Sequence, residues 1–297
     1  MPASLTHLHP DTPMGATLVA GGATFRCWAP HAKAVYVVGD FNHRPRHDAA
    51  LLTRDQQGHW RGFFPGVKDR QRYMFYVVGE GSEGLKRDPY ARELESPFPA
   101  ECLIRRTDFP WHESGYVTQP FHEFVIYQLH VGTFFTPNLP HKGGTFLDVA
   151  RKLPYLADLG VTALQLMPIQ EFQTSFSLGY NGTDYFSPEM DFAVADAELP
   201  AYVAEVNKLL DAKGLRRYQA TELRGEMNQL KALIDLAHLH GLAVLLDVVY
   251  NHAGGEFGDQ SLYFFDRQDP AGGQGPCGRP GIRFFQAGGP RLSDSEC

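Results

Sequence analysis

Asp247, Asn251 and His252 are the residues whose types and spacing suggest chemistry. They lie in Gly241-Leu-Ala-Val-Leu-Leu-Asp-Val-Val-Tyr-Asn-His-Ala-Gly-Gly255, where residues 242–248 are apolar but for Asp247. A continuous apolar run of this length predicts a strand buried on both faces, as in a parallel sheet. A carboxylate, an amide and an imidazole gathered at its C-terminal end supply hydrogen-bond acceptors and donors together. Such a set can hold a polar, hydroxyl-rich ligand. The competing reading is a strand end with one hydrogen-bonded core aspartate and two polar loop residues, so the flanking elements decide.

Those flanks predict an α/β arrangement. Residues 125–131 and 161–168 are two further apolar strand candidates. Between them Thr145, with Asp148 three positions on, marks a helix start, and Gly160 marks its stop. Leu147, Ala150, Leu153, Leu156 and Leu159 form the apolar stripe, and Pro154 inside it predicts a kink or restart. A second crossover helix is expected over residues 226–240, with Leu230, Leu233, Ile234 and Ala237 on one face. Strand, helix, strand repeated in this way builds right-handed parallel units. In a parallel barrel the C-terminal rim of the strands carries the chemistry, which is where Asp247 falls.

The string Asp-x-x-x-Asn-His at positions 247–252 resembles the first signature region of the α-amylase family, glycoside hydrolase family 13. Three more phrases carry the same resemblance: Val125-Ile-Tyr-Gln-Leu-His-Val131, residues 159–168, and Gly179-Tyr-Asn-Gly-Thr-Asp-Tyr-Phe-Ser-Pro188. The resemblance implies a TIM barrel whose first three strands are those above. It implies that Tyr180 floors the subsite of the sugar being cleaved, that Asp247 braces its neighbours with Asn251 beside it, and that His252 donates to a sugar hydroxyl. Tyr127 and His130 in the first strand are secondary candidates by the same carry-over. So is Asp184, for which loop shaping is favoured over substrate contact.

The N-terminal part has a short β period, with strands expected at residues 24–29, 34–38, 59–64 and 72–78. Phe25-Arg-Cys-Trp-Ala-Pro30, Val38-Gly-Asp-Phe-Asn42, Gly58-His-Trp-Arg-Gly62 and Tyr73-Met-Phe-Tyr-Val77 resemble carbohydrate-binding module family 48, an antiparallel, immunoglobulin-like β-sandwich. Lys86-Arg-Asp-Pro-Tyr-Ala-Arg92 is similar to its exit segment. His43-Arg44-Pro45 departs from the family, which has an aromatic soon after the Gly-Asp-Phe-Asn turn. Trp28 and Trp60 are expected in the core rather than as sugar platforms. The domain reading is therefore an extension at 1–20, a β-sandwich at 21–92, a linker at 93–124, a partial TIM barrel at 125–270 with a helical insertion at 193–228, and an irregular tail at 271–297.

Retaining glycoside hydrolysis needs two carboxylates about 5–5.5 Å apart. The resemblance places them at the ends of the fourth and fifth strands, and no segment here matches those regions. Residues 125–297 number 173, against about 250 for a complete barrel. Gly281-Ile-Arg-Phe-Phe285 echoes the nucleophile signature but puts Phe285 at the carboxylate position. No catalytic nucleophile or acid/base is assigned. A truncated or frame-shifted family member, or a piece of a longer chain, is the expectation.

The resemblance implies α-glucan metabolism: first 1,4-α-glucan branching, then amylase-like, debranching or trehalose-releasing hydrolysis. A non-catalytic glucan-binding remnant is the alternative from another class. A nucleotide-binding protein is set aside for want of a Gly-x-Gly-x-x-Gly after any strand. The net charge of −7 argues against nucleic acid as partner. Cys27, Cys102, Cys277 and Cys297 lack paired or metal-ligand spacing. No metal, cofactor or membrane partner is expected, and a cytoplasmic setting fits best.

Overall fold

Alternating apolar residues in the first third of the chain close two antiparallel sheets on an aromatic core. The computed structural model describes every residue except 1, 44–45, 96–99, 113–114, 138–142, 173–177, 251–253, 255–263 and 269–297. One sheet pairs β1 (Gly15–Val19), β2 (Gly22–Trp28), β5 (His59–Pro65) and β4 (Thr53–Arg54), in that order. The other pairs β3 (Ala34–Gly39), β6 (Arg72–Val78) and β7 (Glu83–Lys86), with β8 (Cys102–Leu103) also on β6. Phe25 is the hub of the core: its ring centroid lies 5.3 Å from those of both Phe64 and Tyr73. Edge-on aromatic pairs of this kind add stabilisation beyond the area they bury.

Trp60 is buried, and its indole N–H donates to the Ala29 carbonyl at 2.9 Å. Trp28 is half-buried and donates to the Gln57 carbonyl at 3.1 Å. Two strands fall outside the stretch expected as sandwich. β1 pairs with β2 along its full length, from Gly15 opposite Arg26 to Val19 opposite Gly22. β8 lies in the expected linker and is joined to the module through Arg72 and Tyr73.

By its contacts the chain divides into two units. The first holds the residues through Arg106, together with Thr183–Phe186 and the described residues after Tyr250. The second holds Thr107–Gly182 and Ser187–Tyr250.

In the second unit three parallel strands lie side by side in chain order: β9 (Ile126–Leu129), β10 (Ala163–Leu166) and, after β11 (Gln170–Phe172) and β12 (Gly182–Pro188), β13 (Ala243–Leu246). Sequential neighbours are the order of a barrel; a doubly wound sheet reverses direction at a switch point. The first crossover is broken as Pro154 demands. A turn of helix, α1 (Val131–Phe134), precedes α2 (Phe146–Ala150) and α3 (Leu153–Asp158), and Pro154 sits in the first turn of α3. Thr145 and Asp148 cap α2 reciprocally, the Asp148 N–H donating to Thr145 Oγ1 at 3.2 Å. The insertion supplies α4 (Leu199–Asp211), and α5 (Glu226–Leu239) completes the second crossover. Leu164 and Leu166 on β10 pack with Leu153, Leu156, Leu233 and Leu236 in the unit's core.

Burial along β13 differs from the expectation. Leu242 is buried and Val244 half-buried, but Leu246 is 47% exposed. The reason is the edge: β13 pairs with β10 on one side, and no described strand pairs with its other side.

A buried acid in the sandwich makes its stability pH-dependent. Asp88 accepts the Tyr73 hydroxyl at 2.5 Å and the Tyr90 N–H at 2.9 Å, yet burial pushes its carboxyl up to about 6. A raised acid pKa means that the folded state holds the proton to higher pH than the unfolded chain does. The stabilisation is therefore full below the unfolded value of 3.8 and is lost as pH rises through about 6. A rise of this size is worth about 3 kcal/mol. Asp88→Asn should remove this fall. Urea unfolding at pH 4 and pH 7 should show the variant gaining about 2 kcal/mol on the wild type over that interval. A difference between the two proteins that does not change with pH would contradict it.

Candidate functional site

The register of the parallel sheet sets out the candidate site. Leu129, Leu166 and Leu246 are level across the three strands. The next residues, His130, Met167 and Asp247, therefore stand level at the C-terminal end. Alternation along a strand puts these three on one face, opposite the face of Tyr127, Leu164 and Val244 that meets the helices. His130 and Asp247 are two strand spacings apart, roughly 10 Å. That face at that end is the rim on which parallel barrels place their chemistry.

Asp247 is held by its backbone, whose N–H donates to the Leu166 carbonyl at 2.9 Å. Its Oδ2 accepts the Tyr180 hydroxyl at 3.1 Å. Tyr180 reaches it from the loop after β11, and the ring remains 38% exposed. Burial, and after it the hydrogen bond to Asp247, holds the Tyr180 hydroxyl above its ordinary pKa, so it stays a donor. Gly179 makes this approach feasible. Its φ is +87°, and a Cβ there would sit 2.3 Å from the Pro168 carbonyl oxygen. Only glycine lets the loop pass this close to the end of the second strand.

His130 follows β9. Its Nδ1 lies 3.3 Å from Thr133 Oγ1 and its ring meets Phe192 edge-on at 5.4 Å. Nε2 is buried with no hydrogen-bond partner among the described residues. Burial lowers the His130 pKa, which favours the neutral ring. Tyr127 points the other way: its ring packs on Phe134 at 5.8 Å, in the helix-side core.

The loop motif at residues 179–188 divides between the two units. Asp184 accepts from Arg87 Nε at 3.1 Å, and both side chains are buried. Phe186 stacks on Tyr90 at 5.0 Å and 15°. Both contacts lie in the sandwich unit. Asp184 is thus an ion-pair partner of Arg87, while Tyr180 turns to Asp247. Asn251 and His252 lie outside the described residues, as does the echo at residues 281–285.

One pair of groups at this end of the unit was not singled out from the sequence. Glu189 accepts the Phe172 N–H at 3.1 Å and the Asp191 N–H at 3.0 Å, while Glu171 accepts the Met190 N–H at 3.0 Å. Both are buried, and burial raises the Glu189 carboxyl to about 7. Two carboxylates capping each other's strand ends fix the base of the loop that carries Tyr180. Their short polar spacing in Gln170-Glu-Phe and Pro188-Glu-Met was the available signal. Among the described residues no group of three or more His, Cys, Asp or Glu side chains is placed to hold a metal ion. No described helix is long and apolar enough to cross a membrane.

Comparison with known proteins bears on both units. Residues 13–91 match the family model described as carbohydrate-binding module 48, the isoamylase N-terminal domain. A malto-oligosyltrehalose trehalohydrolase of Deinococcus radiodurans is 32% identical over 300 aligned positions, covering 98% of this chain and 42% of that protein. A 1,4-α-glucan branching enzyme of Lactiplantibacillus plantarum is 35% identical over 196 positions, covering 63% of this chain and 30% of the enzyme. A solved structure described as a putative α-amylase from Salmonella typhimurium superposes with a TM-score of 0.62 at 25% identity, covering 86% of this chain and 37% of that one. The chain spans less than half the length of each of these relatives. The module that matches, the parallel strands in barrel order and these relatives agree: residues 13–91 are similar to carbohydrate-binding module 48, and the part that follows is similar to the opening βα units of α-amylase-family enzymes.

Proposed function

We propose that the C-terminal end of β13 is the sugar-holding part of an α-glucan site, of the kind used by enzymes that act on α-1,4-linked glucans with retention, and that this chain supplies binding groups without the catalytic carboxylates. The observation that carries this reading is the hydrogen bond from Tyr180 to Asp247. It holds an aromatic ring beside the strand end, where a positively charged, flattened sugar ring would meet a π face. His252 and Asn251 are the further hydroxyl-binding groups, as their place in the sequence motif implies. His130 stands on the same face and is a secondary candidate by its place in the first strand, although its Nε2 is buried. Tyr127 and Asp184 take structural roles in this reading, one in the helix-side core and the other on Arg87.

Within the family, release of trehalose from malto-oligosyltrehalose moves ahead of branching. The sequence placed branching first, but the trehalohydrolase relative aligns over 98% of the chain. The residues at this strand end supply binding groups, and no nucleophile or acid/base is assigned among them. Titration with maltoheptaose tests the reading: saturable binding is expected, with no turnover of amylose above background. A chain that binds no maltooligosaccharide would refute the glucan site. Turnover by this chain would refute the assignment of binding groups alone.

A further inference from the structure

The outer face of the first sheet sets two guanidinium groups side by side. Alternation along β2 turns Phe25 and Cys27 into the sandwich core and Arg26 and Trp28 away from it. The antiparallel register puts Arg61 of β5 directly opposite Arg26, and His59 opposite Trp28. Side chains opposed in this way have Cβ atoms about 4.5–5.5 Å apart, and like charges so placed repel. Both arginines are half-buried, and neither has a carboxylate partner among the described residues. Arg26 Nη1 donates to the Pro10 and Thr12 carbonyls at 3.1 and 2.6 Å. Arg61 makes no hydrogen bond or ion pair among the described residues. Nε of each is buried without a partner, while Arg26 Nη2 and both Nη atoms of Arg61 are not enclosed. The charge of Arg61 reaches Asp55, but that carboxylate is committed elsewhere. It accepts the Gln57 and His59 N–H groups at 2.9 and 3.0 Å and lies 3.4 Å from His59 Nδ1.

The folded module thus holds two opposed, partly desolvated positive charges with no counter-charge between them, an arrangement that works against folding. An anion placed at the pair reverses the sign of that electrostatic cost. Guanidinium forks grip phosphate oxygens two at a time, with charge-assisted hydrogen bonds. A phosphate monoester carries about −1.5 to −2 charge at pH 7 and three terminal acceptor oxygens. It therefore matches two guanidiniums in charge and in acceptors, where a carboxylate supplies one charge and two oxygens. We propose that Arg26 and Arg61 form a binding site for a phosphoryl group on the outer face of the sandwich module. The Pro10 and Thr12 carbonyls fix Arg26, and Arg61 closes on the ligand from the neighbouring strand. Every residue of this site lies in the first unit, and the proposal does not depend on the glucan reading.

The test titrates the full chain with inorganic phosphate and with glucose 6-phosphate at fixed ionic strength, with glucose as the uncharged control. Saturable binding of the phosphate-bearing probes is expected. With it should come a rise in the urea midpoint that potassium chloride of the same ionic strength does not produce. Arg61→Gln should weaken phosphate binding at least tenfold. Without phosphate, the same variant should be at least as stable as the wild type, because the opposed charge is gone. Arg61→Lys keeps the charge and loses the fork, so its affinity should fall between the two. Slow hydrogen exchange at Phe25, on a strand paired on both sides, would show that each variant keeps its module folded. Tighter binding of glucose 6-phosphate than of inorganic phosphate would support the site with a phosphorylated sugar as occupant; equal affinities would support it with the ion itself. Absence of saturable binding of either probe, binding unchanged by Arg61→Gln, or equal stabilisation by chloride would overturn it. A marked loss of stability in phosphate-free Arg61→Gln would overturn it as well, since the pair would then be satisfied within the fold.

Discussion

Hydrogen exchange along β13 should alternate residue by residue. The N–H groups of Ala243 and Asp247 donate to Thr162 and Leu166 carbonyls on the β10 side, and the register gives Leu245 the same direction. Val244 and Leu246 then point their N–H groups at the opposite edge, where no described strand pairs. A strand paired on one side protects alternate amides only. Val244 and Leu246 should exchange at least 100-fold faster than Ala243, Leu245 and Asp247 in dilute monomer. The other flank of the sheet has the same character, since Ile126 on β9 is 40% exposed. Exposed apolar edges favour association, so protection at Val244 and Leu246 should grow as concentration rises. Slow exchange of both amides in a monodisperse monomer would contradict this and would mean that a further segment covers the edge.

Arg87→Ala should destabilise the sandwich unit by about 3–5 kcal/mol, because it leaves the Asp184 carboxylate buried without its guanidinium. The pair stands at 3.1 Å with both side chains almost fully enclosed. Replacing both partners with apolar residues, Arg87→Met with Asp184→Leu, should recover most of that loss, since the desolvation cost then disappears with the charges. Urea unfolding of the single and double variants measures both. A single variant that costs less than about 1 kcal/mol, a typical exposed-pair value, would show that the pair contributes little. Maltoheptaose affinity should be the same in the folded double variant as in the wild type, because Asp184 is taken up by Arg87 and not by substrate.

Much of this architecture was legible because local signals agreed with the global fold. Residues 125–131 and 161–168 are apolar runs, and each delivers four paired residues, Ile126–Leu129 and Ala163–Leu166. Thr145, Asp148 and Pro154 marked the start and the break of the first crossover because capping and proline sterics act within one helical turn. Four strands of the sandwich, β1, β4, β7 and β8, were missed for lack of such a signal. Gly15–Val19 and Cys102–Leu103 have little alternation of their own and become strands only by pairing with β2 and β6. The same limit hid the Arg87–Asp184 pair and the Lys86 contact with Phe264, which join residues 97 and 178 positions apart. At the site, the sequence placed Tyr180 and Asp247 correctly on loop and strand end. That the tyrosine hydroxyl bonds the aspartate depends on Gly179 passing close to Pro168, a backbone geometry that no residue pattern states.

The most direct measurement of the central claim is maltoheptaose affinity in the wild type, Tyr180→Ala, Tyr180→Phe and Asp247→Ala. Loss of the ring should weaken binding about tenfold, the scale of the ~1 kcal/mol that an aromatic face adds when it stacks on apolar surface. Tyr180→Phe keeps the ring and loses only the bond to Asp247, so it should fall between wild type and Tyr180→Ala. Asp247→Ala should resemble Tyr180→Phe if the carboxylate acts by holding the ring, and cellohexaose should bind none of the four. Equal affinity in all four proteins would contradict a sugar site at the end of β13.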